Sequence, residues 1–553
     1  APNPTPFPTQ RAMKRSLLVI ACSVFCTGLF AQSGGQVAAS VAERRAQQAD
    51  FVKVKPFTLA TAKADRDQLV NDVVDNATIL KADAAALANI LATRPAAIEL
   101  SFTTNAGLLE LELLQADLFS PDFSVVTASD NAANNWIPGA YYRGIVKGQP
   151  ASLVSISVFK DEVMGFVSDA TGDHTLGKLE GSQDEHVYYN TKDFKGTIEN
   201  ACGTPDDGVG YTDEQIKAHG SEKTVNCLNL YWEVNYDIFQ GKGSVTNATN
   251  YVTGLFNQSQ TIYTNDAIST LLSQVFVWNV ASPYTSTSTS TLLSQFQSYR
   301  NTFNGNLGHL LGYAGGGGIA AGFSGICASN LDNSMCYSGI QSSYSTVPTY
   351  SWSVMVVTHE QGHLMGSRHT HACVWNGSNT AIDGCGQQAG YSEGTCATGP
   401  IPSGGGTIMS YCHLNAVGIN FNNGFGTQPK NVITNNINAG SCLTVCSGGG
   451  CGTPGSLNAG TITTSSAVLG WGAVSGATSY NLQWKLGSAT TWTSVNGLTS
   501  TSYSLTTLTA NTTYNFQAQA VCASGSSAFS AAASFTTLAV GGCPDALEAN
   551  NTF

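Results

Sequence analysis

Four of the chain's nine histidines fall between Met355 and Cys373, in MVVTHEQGHLMGSRHTHAC. His359-Glu360-Gln361-Gly362-His363 sets two imidazoles four residues apart, on one face of a helix, where both reach a single metal ion. Glu360, next to the first histidine, is placed to meet a water on that ion rather than to bind it. Leu-Met-Gly-Ser-Arg-His then completes H-E-x-x-H-x-x-G-x-x-H. Gly366 can adopt the positive φ that ends a helix, which brings His369 round as a third ligand. Three nitrogens and one open corner describe a catalytic Zn2+ site with one ion. His371 lies off this spacing and reads as an outer or surface residue. Ca2+ sites are not legible.

These side chains need a buried helix beneath a sheet. SWSVMVVT, before His359, is apolar enough for one that begins near Tyr350–Ser353. From Val225 onward, VNCLNLYWEVNYDIF and TLLSQVFVWN read as strands, and NATNYVTGLFNQSQTIYTND and STLLSQFQSYRNTF as helices. GHLLGYAGGGGIAAGFSGIC supplies strands joined by glycines, one of them suited to pair with an extended peptide. The alternation predicts a mostly parallel sheet flanked by helices.

At 553 residues the chain has room for three or four domains. A net charge of −12 with no Lys/Arg run argues against nucleic acid as a partner. MKRSLLVIACSVFCTGLFAQ, Met13 to Gln32, has a basic start, an apolar run of about fifteen residues and a small Ala31 at its end, the parts of a secretory signal peptide. The run is short for a transmembrane helix, which needs about 20 residues. Residues 1–12 precede Met13 and read as upstream read-through.

Export agrees with the cysteines. None lies between residues 32 and 201, and nine lie between Cys227 and Cys446, which reads as a disulfide cluster with one thiol left over. Cys327 and Cys336 are close enough in sequence for a local loop.

Residues 32–201 are an α/β or β-rich region. RDQLVNDVVDNATILKADAAALANIL has helical spacing, while AAIELSFTTNAGLLELELLQAD and ASLVSISVFKDEVMGFVSD read as strands. CGTPDDGVGYTDEQIKAHGSEK, Cys202 to Lys223, has the composition of an exposed, cleavable linker. Residues 454–538 hold one charged side chain, Lys485, and alternate like an all-β sandwich.

The eleven-residue motif, with GGGTIMSYCH about forty residues beyond His369, resembles the metzincin clan of zinc endopeptidases. The cysteine-rich surroundings and IMSYC are similar to its adamalysin/reprolysin-like branch in bacterial secreted form. The resemblance covers residues ~100–446 and is strongest over Val225 to Cys446. It implies His359, His363 and His369 as zinc ligands, Glu360 as catalytic base and Met409 as the methionine of a turn beneath the metal. Many animal adamalysins carry Asp after the third histidine, where this chain has Thr370. YYRGIVKGQPASLVSISVFKDEVMGFVSD is similar to the silencing prodomains of that branch, and NACGT puts Cys202 where a cysteine switch onto the zinc is expected. A disulfide from Cys202 to Cys227 is the alternative. The C-terminal sandwich resembles a fibronectin type III module, with Trp471 in an early strand, Tyr480 and Trp484 in the third, and Tyr514 placed as a tyrosine corner. Cys451 and Cys522 could tie its start to its sixth strand.

The boundaries that follow are 13–31 signal peptide, 32–222 propeptide with linker, 223–446 zinc metallopeptidase domain, 450–538 fibronectin type III-like domain and 542–553 the start of a truncated further module. The resulting expectation is a secreted or cell-surface zinc endopeptidase made as a zymogen and acting on proteins or peptides. Its C-terminal module would contact a cell surface or polysaccharide, or act as a spacer. The alternative is an adhesin or toxin-like binding protein whose zinc site is mainly structural, and an intact Glu360 argues against it.

Overall fold

A computed structural model describes residues 35–46, 50–196, 201–219, 224, 226–340, 347–349, 351–445, 454–455, 457–474, 477–522, 525–527 and 529–540. The Met13–Gln32 segment, Cys451 and residues 542–553 lie outside them.

The N-terminal region is β-rich. Its ten-stranded sheet runs, edge to edge, Val52–Val54, Ala97–Thr104, Gly107–Gln115, Ala140–Val146, Gln149–Val158, Val163–Asp169, Gly172–Lys178, Glu185–Asn190, Thr78–Ala82 and Phe57–Leu59. Every pairing is antiparallel except that of Val52–Val54 with Ala97–Thr104. The helical spacing over Arg66–Leu91 does not give one helix. Asn76 turns the chain at φ 56°, and β-branched Thr78 and Ile79 open a strand that ends where Asp83 caps the next helix through Ala85 N and Ala86 N.

In the middle of the chain we label β1 Phe119–Thr127, β2 Asn226–Val234, α1 Val245–Asn265, β3 Thr270–Val277, α2 Thr289–Tyr299, β4 Leu307–Gly312, β5 Gly317–Ala320, β6 Met335–Gly339, α3 Ser351–Leu364 and α4 Thr427–Ala439. In an eight-stranded sheet these strands run β1-β3-β2-β4-β6-β5, with β5 antiparallel on β6 and the others parallel, and the two-residue strands Ala132–Ala133 and Thr444–Val445 pair antiparallel with β1 and β2. Mostly parallel strands covered on both faces account for near-continuous apolar runs such as LNLYWEV. Strand β1, with Ala132–Ala133 on its outer side, comes from the N-terminal region, more than a hundred residues ahead of β3. Helix α1 lies between the two sheets: Phe256 meets Trp232 edge-on at 5.2 Å, while Asn257 on another face donates to Ile156 O at 3.1 Å and Ser157 Oγ at 3.0 Å.

Cys327–Cys442, Cys373–Cys396 and Cys385–Cys412 are disulfides, and Cys227 is also disulfide-bonded. The local Cys327–Cys336 loop does not form. Cys336 is buried in the β6 ladder as a free thiol, whereas Cys327 sits in a turn at φ 55° against Cys442.

The C-terminal module is a β-sandwich. Asn458–Gly460, Ala467–Gly470 and Ser502–Leu505 face a sheet built on Ala477–Leu486 and Thr513–Cys522. Trp471, Leu482, Tyr514 and Phe516 fill its core, and Thr509 N donates to the Tyr514 hydroxyl at 2.9 Å, as a tyrosine corner requires. Trp471 directly follows the strand Ala467–Gly470 rather than lying in it. Among the described residues no helix is long and apolar enough to cross a membrane.

Candidate metal centre and its cleft

Helix α3 is buried along almost its whole length, from Trp352 to Leu364. It ends where the sequence says it must. Gly366 takes φ 110°, Gly366 N and Ser367 N close back on His363 O and Gly362 O, and a Cβ on Gly366 would stand 2.0 Å from Asn436 Nδ2. The reversed chain returns His369 to the helix.

The Nε2 atoms of His363 and His369 lie 3.1 Å apart, as do those of His369 and His359. Two bonds of about 2.05 Å at a tetrahedral angle put nitrogens about 3.3 Å apart, so the spacing suits one zinc ion. Each ring is fixed from behind. Nδ1 of His359 faces Ile408 O, that of His363 faces Ser367 O and that of His369 faces Glu393 Oε1, each at 2.7 Å. These acceptors keep the proton on Nδ1 and leave three Nε2 lone pairs converging on one point. Burial holds all three rings far below the ordinary histidine pKa. Close-set lone pairs with no proton between them need a cation.

Met409 lies below this point. It is fully buried, and its sulfur would be 2.9 Å from a Cβ on Gly362, between the two helical histidines. Its carbonyl accepts from Thr370 N at 3.0 Å.

Glu360 faces the strand β5. A methyl on Gly318 would come within 2.4 Å of Glu360 Oε1, so the carboxylate has its place only because that strand position lacks a side chain. Oε1 is buried with no hydrogen-bond partner, while Oε2 accepts from Thr204 Oγ1 at 3.1 Å and Cys202 Sγ at 3.4 Å. Burial raises this carboxyl to about 8 against the lowering effect of those two bonds.

Residues 201–216 form a strap across the cleft. Cys202 Sγ is 3.4 Å from His363 Nε2, and the ligand atoms of Cys202, His359, His363 and His369 all lie within 4.8 Å of one another. The alternative disulfide to Cys227 is not formed, because the Cys202 thiol is free. Gly203 N donates to Gly318 O at 2.7 Å and Ala320 N to Thr204 Oγ1 at 2.7 Å, so the strap lies along the edge of β5. The Tyr411 hydroxyl donates to Cys202 O at 3.0 Å. Arg368 grips Asp207 with two bonds, of 2.8 and 2.6 Å, and packs its guanidinium over Tyr211. The expectation of an exposed linker holds for most of the segment, Gly203, Pro205, Asp207 to Val209 and Thr212 to Gln215 included, but not for the side chains that enter the cleft. Thr204 and Tyr211 are buried, whereas Lys217 to His219 are exposed.

Comparison with known proteins places the middle and the end of the chain. Residues 223–419 match metallo-peptidase family M12, and residues 452–536 match the fibronectin type III domain. We call residues 223–419 the M12 domain after this match. Such a domain implies a zinc-dependent endopeptidase. No match was found among curated proteins. Solved structures similar to the chain include one described as a myokine structure (19% identity, 16% of this chain and 96% of that one, TM-score 0.15). Others are an FN3 domain of human collagen XX (23%, 15% and 90%, TM-score 0.15) and the FN5 domain of Drosophila Lar (19%, 16% and 99%, TM-score 0.15).

Within the M12 domain several contributors have no signal in the sequence. Glu393, twenty-four residues from His369, orients that ring. Thr370 donates to Asp383 Oδ2 at 2.5 Å, so a carboxylate from a later turn serves the position after the third histidine. Of the two places expected for His371, outside the ligands or on the surface, it takes the first. It is buried, stacks on His369 at 5.1 Å, and is held neutral by burial, with its pKa lowered to about 3.

Proposed function

We propose that the chain is the zymogen of an exported zinc endopeptidase, silenced by Cys202 at the fourth corner of the histidine site. The observation that carries the reading is the cluster of one thiol and three imidazoles beside a buried carboxylate. His359, His363 and His369 would hold a zinc ion, which would supply Lewis acidity, lowering the pKa of a water to about 7 and polarising a peptide carbonyl. With the strap gone, Glu360 Oε2 loses Cys202 and Thr204, takes the proton of the attacking water and returns it to the leaving amine. Gly318 O and Ala320 N, both engaged by the strap, become free to pair with the backbone of an extended substrate. The Tyr411 hydroxyl, released from Cys202 O, is free to donate to a substrate carbonyl. A mainly structural zinc site would leave unexplained a buried carboxylate with one bare oxygen, an arrangement that costs stability. Export rests on the Met13–Gln32 segment, and the fibronectin-like module serves as a spacer.

The test uses the full chain. Cys202→Ala should hydrolyse casein at least about 10-fold faster than the parent, with activity abolished by a chelator and restored by zinc. Glu360→Gln in that background should keep zinc and lose hydrolysis. A Cys202→Ala chain as silent as its parent rejects the switch, and a Glu360→Gln chain of near-full activity rejects the base.

A further inference from the structure

The N-terminal region and the M12 domain share one core. Strand β1 pairs in parallel with β3, in the register Gln274–Ser124, Val275–Val125 and Phe276–Val126, and Leu272 N donates to Leu118 O at 2.8 Å. Leu118, Val125, Met164 and Phe166 are at most 3% exposed and belong to the same apolar cluster as Trp232, Leu272 and Met409. Gly254 of α1 has no side chain where a Cβ would stand 2.4 Å from the Met164 sulfur. The polar stripe of α1 is spent on the N-terminal sheet as well. Thr253 accepts from the Tyr141 hydroxyl at 3.0 Å, and Gln260 donates to Asp117 O at 3.1 Å.

That stripe alone would be at ease in water. The apolar side chains and the bare β3 edge would not, because an uncovered, apolar edge strand invites pairing with other chains. Shared apolar burial of this kind is the mark of an obligate interface rather than a transient one. The strap is different in kind: it touches the cleft through a thiol, a threonine, an arginine clasp and backbone bonds, and contributes no strand to the sheet.

We propose, resting on the zymogen reading above, that residues 50–196 stay bound as a subunit of the protease, with β1 paired on β3, and that activation removes only the strap. The silencing and the structural parts of the upstream region are then separate, and the working enzyme has two chains.

The experiment inserts recognition sites for a sequence-specific protease after Gly196 and after His219, both exposed, in the full chain. After both cuts, native mass spectrometry and gel filtration at 1 µM-scale dilution, on the order of 10⁻⁶ M, should show the 50–196 fragment and the M12 domain as one complex lacking the strap. Casein hydrolysis should migrate with that complex. Two separate masses, or hydrolysis found only in fractions free of the N-terminal fragment, would overturn the proposal. Val125→Pro, which breaks the β1 ladder, should release the fragment after cutting at least 10-fold more readily than the parent, and unchanged retention would count against β1 as the holding strand. Co-migration is read without activity. Failure of the zymogen reading, with no species hydrolysing casein, is therefore distinct from failure of this one.

Discussion

Helix α3 and strand β5 hold His359, His363 and Glu360 through regular backbone ladders, whereas His369, Glu393, Met409 and Tyr411 hang on turns between Gly366 and Phe425. The first half needs no covalent help. The second is cross-linked twice, by Cys373–Cys396 beside Glu393 and by Cys385–Cys412 next to Tyr411. The contrast teaches that precision in one site comes from two sources: hydrogen-bonded secondary structure where helix and sheet reach, and disulfides where they do not.

The sharpest way to break the comparison is on its regular side. Gly318→Ala puts a methyl against Glu360 without touching a ligand. In the strap-free enzyme it should lower kcat by about 10²-fold or more, the cost of an ångström-scale misplacement, with zinc content unchanged. On the turn-built side, replacing Cys385 and Cys412 by serine should cost about 2–4 kcal/mol of unfolding free energy, read by urea titration. The same change should weaken zinc binding, since it frees the Met409–Tyr411 turn. Glu393→Ala removes the acceptor behind His369, and zinc affinity should fall by about 10–100-fold in competition with a chelator. A result confined to stability would assign Glu393 to the loop rather than to the ligand.

A further prediction concerns the seam between the regions. Asp173 of the N-terminal sheet accepts from Phe421 N of the M12 side at 3.1 Å, and burial raises its carboxyl from 3.8 to about 7. Between about pH 4 and 7 the unfolded chain releases this proton while the folded one keeps it, so stability falls as pH rises through that window and levels off above it. One carboxyl contributes at most about 1.4 kcal/mol per pH unit. Thermal unfolding against pH should show the slope in the parent and lose it in Asp173→Asn.

The regular half is the more legible in the sequence, and of the turn-built half only His369 and Met409 can be named from it. Four-residue spacing on a helix is a local fact, and a glycine that ends the helix is another, so His359, His363 and His369 can be named before any fold is known. The order of strands and helices from Val225 onward follows from apolar periodicity for the same reason. Glu393 and Asp383 carry no such mark, because what relates them to His369 and Thr370 is the path of a turn, not a period. The pairing of Cys327 with Cys442 rather than Cys336 depends on which side of β6 a side chain faces. Strand β1 escaped for a third reason: parallel pairing across the domain boundary leaves no trace in either partner's sequence, and FSPDFSVVT, with Ser120, Pro121 and Asp122 in its first half, has no clean strand pattern of its own.

Cys202 is, like the buried Cys336, a reduced thiol, while the cysteines of the turns beside it, Cys373, Cys385, Cys396 and Cys412, are oxidised. In a compartment that makes disulfides, exchange needs an approach to the sulfur, and here the approach is filled by Thr204, Glu360 and His363. This prescribes an order of events during biogenesis. The thiol must be sheltered before oxidation begins, and a chain that closes its other cross-links first risks trapping Cys202 in a wrong one.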